Sequence, residues 1–239
     1  MSAIAGNMSI TIGSYYLAKF NDGKGMQLGK VLGHTYGKVV IIGDGIVGRH
    51  AANIATGMGA EVYIGGRHPE RAEILRKEIS PNLNFFESDN KNIAEMTEVA
   101  DLVVGAVLLP GARTPRVMTE DMVKHMQAGS VIVDVSIDQG GCIATSRPTS
   151  HSDPIYRKHD VIHYCVTNMP AAYPKTSTLA LTNATLPYIK KLADQGMEAV
   201  KSDPGFAKAV NTYQGFITCK PVAKILNKME QYRELSDLI

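Results

Sequence analysis

The chain has no tryptophan, only three cysteines and no long apolar run. Cys142, Cys165 and Cys219 are an odd number without a C-x-x-C pair, which predicts free thiols in a reducing cytoplasm and no zinc site. No apolar stretch approaches the roughly 18 residues that a membrane span needs, and the N-terminus lacks the basic-then-apolar pattern of a signal peptide. No histidine pair has metal-ligand spacing. We therefore expect a cytoplasmic protein without a membrane partner or a bound metal.

Charge of one sign is also lacking. The 25 Lys and Arg residues nearly balance the 23 Asp and Glu residues, which leaves a formal net charge of +2. This balance argues against a nucleic-acid or anionic-membrane surface. A hydrophobic content of 44% in 239 residues is that of an ordinary globular protein.

A glycine-rich motif dominates the first third of the chain. The apolar run Lys38–Ile42 is followed by Gly43, Gly45 and Gly48 at G-x-G-x-x-G spacing, and then by an Ala-rich segment, 49–58, that reads as a helix. Strand, glycine turn and helix start together form the dinucleotide-binding fingerprint. Gly45 would let the backbone approach a pyrophosphate, and the helix N-terminus would offer N–H groups to its phosphates. The alternative is a purely structural glycine turn.

Strand and helix patterns alternate after this motif. Further apolar runs predict strands at 61–64, 84–86, 101–109, 130–137 and 161–166, and helical patterns separate most of them, at 70–79, 93–99 and 119–126. Near-continuous apolar strands of this kind indicate a parallel sheet covered on both faces. The predicted fold class is α/β, a Rossmann-type doubly wound parallel sheet.

The pattern changes near Pro174. The segment 174–239 contains a long helix, predicted at 176–195, and further helical pieces without strands. We therefore predict two domains: 1–174, a dinucleotide-binding domain that starts with a helix over 1–20, and 175–239, a helical C-terminal part.

Ligands of open α/β sheets bind beyond the carboxyl ends of the strands, so the residues that follow each strand are the candidates for a site. Asp138 lies between apolar strand residues and two glycines, where burial and a nearby cofactor would perturb its pKa. It is a candidate acid/base or a group that orients a nicotinamide; the alternative is a turn aspartate that bonds its own backbone. Asn168 could bind an amide or a ribose, or form an Asx turn. His163, inside a strand, is expected to be a core residue.

One expected carboxylate is missing. NAD-binding fingerprints normally carry Asp or Glu about 20 residues after the glycines, where it binds the ribose hydroxyls. Here Gly66 stands at the end of the second strand, and Arg67 and Arg71 follow. The two arginines could bind a 2′-phosphate and favour NADP. The alternative is that they are exposed charges at a helix start.

Four longer segments resemble bacterial alanine dehydrogenase: DVSIDQGGCIATSRPTSHSDPIY (134–156), HYCVTNMPAAYPKTSTLALTNATLPYIKKLADQG (163–196), NTYQG (211–215) and GAVLLPGARTP (105–115). The related proton-translocating transhydrogenase subunit is less similar in these segments. The resemblance implies NAD-dependent oxidative deamination of L-alanine to pyruvate and ammonia by an oligomer, a hexamer in this family. It also implies two lobes, with 175–239 returning to the substrate lobe and the helix over 1–20 acting as a hinge.

The resemblance extends to individual positions. Asp138 matches the catalytic aspartate of the family, and Gly66 stands where the family has its ribose-binding aspartate. The residues that match or adjoin cofactor contacts are Ser2, Gly43, Gly45, Ile46, Val47, Gly48, Gly66, Arg67, Arg71, Ser88, Val107, Leu108, Val135, Ser136, Ile137, Asp138, Arg147, Val166, Thr167, Asn168 and Met169.

The family's N-terminal substrate lobe has no counterpart in this sequence. That lobe carries the Arg and Lys that hold the substrate carboxylate, and the catalytic His. We therefore expect activity to need a separately supplied N-terminal chain, because such groups contribute orders of magnitude in rate. Two alternatives stay open: a non-catalytic NAD(P)-binding protein and an inactive remnant of the enzyme.

Overall fold

The computed structural model describes residues 1–109 and 113–239, which fall into two units. The first unit comprises 1–108 and 113–174, and the second includes 175–239. In the described part of the chain, no helix combines the length and the apolar character needed to cross a bilayer.

The first unit begins with helix α1 (Ser2–Leu17) and a short antiparallel hairpin of strands β1 (Gly29–Val31) and β2 (His34–Tyr36). The seven strands of the central sheet are β3 (Lys38–Ile42), β4 (Glu61–Gly66), β5 (Asn84–Glu87), β6 (Leu102–Gly105), β7 (Val131–Asp134), β8 (Ile155–Lys158) and β9 (Val161–Tyr164). The helices between them are α2 (Ile46–Met58), α3 (Ala72–Glu78), α4 (Asn90–Glu98) and α5 (Glu120–His125).

The strand order is β5-β4-β3-β6-β7-β9-β8, which is the doubly wound arrangement expected from the sequence. All neighbouring strands are parallel except β8, which runs antiparallel to β9 at the edge. The predicted doubly wound parallel sheet is confirmed, and strand β8, which the sequence did not predict, adds an antiparallel edge to it. Strand β8 escapes the sequence pattern because its half-exposed residues do not form an apolar run.

The inner strands are buried on both faces because their successive side chains point to opposite sides of the sheet. Along β3, Val39 and Ile41 belong to one apolar core, and Val40 and Ile42 belong to the other. Two predicted strands are too long: the segments 101–109 and 130–137 stop pairing at Gly105 and Asp134. The residues after these points form the loops that carry the site.

Helix α1 packs closely on helix α2 because Gly6 has no side chain. A Cβ atom at Gly6 would lie 2.4 Å from the carbonyl oxygen of Val47 and 2.8 Å from Cβ of His50. Helix α1 is also shorter than the predicted helix over 1–20, since a 3₁₀ turn begins at Lys19. This packing sets the N-terminus of α1 beside the start of α2, at one edge of the cleft described below.

The second unit is mostly helical. Its elements are α6 (Pro174–Gln195), which begins at the boundary, α7 (Met197–Lys201), α8 (Pro204–Ala207), β10 (Thr212–Tyr213), β11 (Phe216–Ile217) and α9 (Lys220–Ile225). The expectation of no strands here is wrong, because Gln214 and Gly215 both adopt positive φ and form a tight hairpin turn between β10 and β11. Helix α6 exposes large apolar side chains, with Leu181, Tyr188 and Ile189 each about half exposed.

Candidate functional site

A cleft of about 260 Å³ opens where strands β6, β7 and β9 end. This is the edge of an open α/β sheet at which ligands bind. The N-terminus of α1 and the first turn of α2 complete its walls. The lining residues are Met1, Ser2, Ala5, Val47, Ala106, Val107, Leu108, Val135, Ser136, Asp138, Gln139, Asn168 and Pro170.

Asp138 lies in a 3₁₀ helix, Val135–Gln139, directly after β7. Its Oδ1 accepts a hydrogen bond of 2.9 Å from the backbone N–H of Asn168, whose φ of 52° is left-handed. The predicted burial of Asp138 is wrong: the residue is exposed at the mouth of the cleft, since the 3₁₀ helix turns it away from the core. The alternative, in which the Asp138 side chain bonds the backbone of its own turn, is not what the structure shows either. The bond instead ties together the loops after β7 and β9.

A buried carboxylate that the sequence analysis missed holds the loop of Asp138 in place. Asp134 is fully buried, and its Oδ1 accepts from the N–H of Ser136 at 3.1 Å. Its Oδ2 accepts from the N–H groups of Cys142 at 3.0 Å and Ile143 at 3.3 Å. Burial raises the pKa of Asp134, while the hydrogen bonds from Cys142 and Ile143 act against that rise. The sequence signal was present, because a polar residue ends an otherwise apolar strand.

The three glycines of the fingerprint are not all required for the same reason. A Cβ at Gly48 would lie 1.8 Å from the carbonyl oxygen of Gly43, and Gly43 itself has a φ of +117°. These two glycines are therefore required by the fold. A Cβ at Gly45 would meet no atom of the described residues within 4 Å, and its φ of −76° suits any residue. Nothing in the described part of the chain requires a glycine at position 45, which leaves room for an outside group to approach the backbone.

A second cluster forms at the end of β4. The N–H of Ser88 donates to the carbonyl oxygen of Gly66 at 2.9 Å. Nη1 of Arg71 lies 2.7 Å from Oδ2 of Asp44, a residue of the glycine turn that the sequence analysis missed. Arg67 is exposed beside them. Two candidate cofactor residues, Gly66 and Arg71, thus lie beside Asp44, and a third, Ser88, is hydrogen-bonded to Gly66.

Only some of the candidate residues line this cleft. Those that line the cleft are Ser2, Val47, Val107, Leu108, Val135, Ser136, Asp138 and Asn168. Ile137, Val166 and Met169 are buried, whereas Ile46 and Thr167 are exposed. Arg147 stacks on the ring of Tyr156, with Cζ 4.0 Å from the ring centroid. Gln139, which follows the fifth predicted strand, also lines the cleft, and the lining residues not predicted from the sequence are Met1, Ala5, Ala106 and Pro170.

The prediction that His163 is a core residue is confirmed. It is fully buried, and its Nδ1 lies 3.0 Å from the carbonyl oxygen of Val161. That oxygen can only accept, so Nδ1 carries the proton and Nε2 accepts from the Thr145 hydroxyl at 2.8 Å. Burial lowers the pKa of His163 to about 4. Among the described residues, no three His, Cys, Asp or Glu side chains form a group that could hold a metal ion.

Comparison with known proteins agrees with this arrangement. Residues 9–220 match the family model described as alanine dehydrogenase/PNT, C-terminal domain. The chain is 50% identical to alanine dehydrogenase of Staphylococcus haemolyticus (strain JCSC1435) over 226 residues, which are 94% of this chain and 61% of that protein. It is 49% identical to alanine dehydrogenase 2 of Staphylococcus aureus (strain USA300), with the same coverage. The chain therefore spans about three fifths of the length of these relatives.

Solved structures give the same result. The chain is similar to a solved structure of L-alanine dehydrogenase, with a TM-score of 0.87 and 42% sequence identity. The match covers 96% of this chain and 63% of the L-alanine dehydrogenase chain. A transhydrogenase from Sinorhizobium meliloti matches 84% of this chain and 55% of its own with a TM-score of 0.67 and 20% identity, which shows a shared fold. The lower identity agrees with the weaker resemblance to the transhydrogenase seen in the sequence.

Proposed function

The chain belongs to the alanine dehydrogenase/PNT C-terminal domain family, and on that premise we propose that it supplies the dinucleotide-binding part of an alanine dehydrogenase. The complete reaction is the NAD-dependent oxidative deamination of L-alanine to pyruvate and ammonia. When bound, NAD would accept the hydride from C2 of the amino acid. The contribution of this chain is to hold the dinucleotide and to orient its nicotinamide end.

The observation that carries the proposal is the open space at Gly45. The fold itself requires Gly43 and Gly48, but neither φ nor packing requires a glycine at position 45. A residue without a side chain at the start of helix α2 suits close approach of a pyrophosphate to backbone N–H groups. The neighbouring cleft adds Asp138 and the backbone of the 3₁₀ helix around it, at the carboxyl ends of the strands.

Asp138 is the candidate catalytic residue of this part. Its carboxylate is exposed at the cleft and is fixed by the Asn168 N–H, so it can accept a further hydrogen bond from a ligand. Ser136 lines the same cleft, but its hydroxyl donates to the carbonyl oxygen of Val107 at 2.8 Å. Ser136 therefore supports the wall, and Asp138 is the side chain available for orienting a nicotinamide or for proton transfer.

Alanine oxidation also needs groups that bind the substrate carboxylate, and we propose that an N-terminal substrate lobe supplies them. The exposed apolar side chains of α6, Leu181, Tyr188 and Ile189, support a covering partner of this kind. By analogy with the family, the complete assembly would be a cytoplasmic homo-oligomer, specifically a hexamer.

Titration of the purified chain with NADH tests the proposal. We expect saturable binding that Gly45→Ala weakens by at least about tenfold, because a methyl group would then face the pyrophosphate. Gly57→Ala is the matched control, since Gly57 lies in the same helix and also has open space around it. A wild-type chain that fails to bind NADH would overturn the proposal.

Activity is a separate readout. L-alanine-dependent NADH formation should appear when an N-terminal substrate lobe from a relative is added, and Asp138→Ala should abolish it. Cofactor binding without any activity under these conditions would favour the non-catalytic alternative.

A further inference from the structure

Position 66 is a glycine because another side chain occupies its space. A Cβ built on Gly66 would lie 3.0 Å from both Cγ and Oδ2 of Asp44. The same Cβ would lie 3.0 Å from Cε2 of Phe85. Side chains at positions 44 and 66 therefore compete for one small volume at the end of β4.

That volume is where dinucleotide-binding folds of this type place a carboxylate. Their acidic residue stands at the end of the second strand of the fingerprint and binds the ribose hydroxyls. In this chain the carboxylate reaches the same place from the glycine turn. Resting on the dinucleotide binding proposed above, we propose that Asp44 is the ribose-binding residue of this site and makes it select NAD(H) over NADP(H).

The surroundings hold the Asp44 carboxylate in position. Nη1 of Arg71 lies 2.7 Å from its Oδ2, and Nη2 of Arg71 lies 3.4 Å from the backbone oxygen of Asp44. Only 14% of the Asp44 side chain and 31% of the Arg71 side chain are exposed. Arg71 therefore contacts both the side chain and the backbone oxygen of Asp44. These two contacts restrict the orientation of the Asp44 carboxylate.

This pairing changes the role of Arg71. The sequence offered Arg67 and Arg71 as a site for the 2′-phosphate of NADP. Because the charge of Arg71 is compensated by Asp44, a 2′-phosphate at this place would face a carboxylate held within the same cluster. A phosphate and a carboxylate that face each other closely in a partly buried site repel strongly, because both are negatively charged. A ribose 2′-hydroxyl, in contrast, can donate a hydrogen bond to the carboxylate.

The competing explanation is structural: Asp44 would only tie the glycine turn to the start of α3 through Arg71. The two explanations differ in what removal of the charge does. A structural role affects both nucleotides equally, whereas a ribose-binding role changes the ratio of their dissociation constants.

The experiment measures dissociation constants for NADH and NADPH with the purified chain, by calorimetry, for wild type and four variants. Wild type should prefer NADH by at least about tenfold. Asp44→Asn should weaken NADH binding by about tenfold or more and leave NADPH binding unchanged or tighter, which is the size expected for a hydrogen bond to a charged group. Asp121→Asn removes one exposed negative charge from helix α5 and should change neither constant.

A swap of the two positions keeps the test valid if Asp44→Asn folds poorly. Gly66→Asp alone should weaken NADH binding, because its carboxylate would crowd Asp44. The double variant Asp44→Gly/Gly66→Asp should recover the preference for NADH, since one carboxylate again occupies the site. Thermal unfolding of each variant reports folding separately.

The outcomes are distinguishable. Equal loss of NADH and NADPH affinity in Asp44→Asn, or a wild type that binds NADPH as tightly as NADH, overturns the role of Asp44 while dinucleotide binding stands. A wild type that binds neither nucleotide overturns the proposed function and this inference with it.

Discussion

The backbone N–H of Asn168 donates a 2.9 Å hydrogen bond to Oδ1 of Asp138, which joins the loops after β7 and β9 across the mouth of the cleft. Asn168 adopts a left-handed conformation, with φ 52° and ψ 49°, that few residue types tolerate as well as Asn and Gly. The carboxylate and the strained backbone thus support each other. This one contact positions the candidate catalytic residue.

Asp138→Ala should loosen this connection at little cost to the fold. Because Asp138 is exposed, we expect the free energy of unfolding to fall by no more than about 1 kcal/mol. Hydrogen exchange at the Asn168 amide should become at least about tenfold faster, which NMR can measure. Asp138→Asn retains a carbonyl oxygen as acceptor and should keep the exchange slow. Equally fast exchange in both variants would show that the contact does not protect this amide.

Two substitutions in helix α2 should change stability in opposite directions. Gly48→Ala places a methyl group 1.8 Å from the carbonyl oxygen of Gly43, so we expect a loss of at least about 3 kcal/mol in the free energy of unfolding. Gly57→Ala adds a methyl group that meets no atom of residues 1–109 and 113–239, and it should stabilise the protein by about 0.5–1 kcal/mol. Urea unfolding measures both. A Gly48→Ala variant as stable as wild type would contradict the close packing of β3 and α2.

His163 should make the fold sensitive to acid. Burial lowers its pKa to about 4, against about 6.5 in the unfolded chain, so the folded state binds fewer protons in that window. The stabilisation is complete above pH 6.5 and is lost as the pH falls toward 4, by on the order of 3 kcal/mol.

His163→Gln removes this titration, so the difference in free energy of unfolding between variant and wild type should shrink as the pH falls from 7 to 4. His34→Gln, at an exposed position in β2, is the control and should follow wild type. Parallel losses of stability in His163→Gln and wild type would contradict the role of His163.

Local patterns accounted for most of the fold. The run Lys38–Ile42 is a strand with the predicted bounds, because every residue after Lys38 is apolar and the glycines end it. Thr119 caps helix α5, as its position before a helical pattern suggests, by accepting from the N–H of Met122. The elements that the sequence did not predict are short or half-exposed strands. Their formation depends more on pairing partners and turns than on apolar runs, as in β1, β2, β8, β10 and β11.

The candidate site divides in the same way. The glycine turn, the absence of an acid at position 66 and the resemblance of long segments to alanine dehydrogenase were all present in the linear sequence. The sequence did not predict the burial of Asp134, the exposure of Asp138 or the contact between Asp138 and Asn168. Each of these depends on how the ends of β6, β7 and β9 come together.

The sequence by itself determined the strand and helix pattern, the nucleotide-binding turn and the family. Only the tertiary structure decided that the carboxylate of Asp44 fills the space beside position 66. The parallel register sets Ile42 of β3 beside Gly65 of β4, and the N–H of Gly43 bonds to the carbonyl oxygen of Gly65 at 2.9 Å. Residues 44 and 66 therefore meet, and since the space between them holds one side chain, Asp44 requires Gly66.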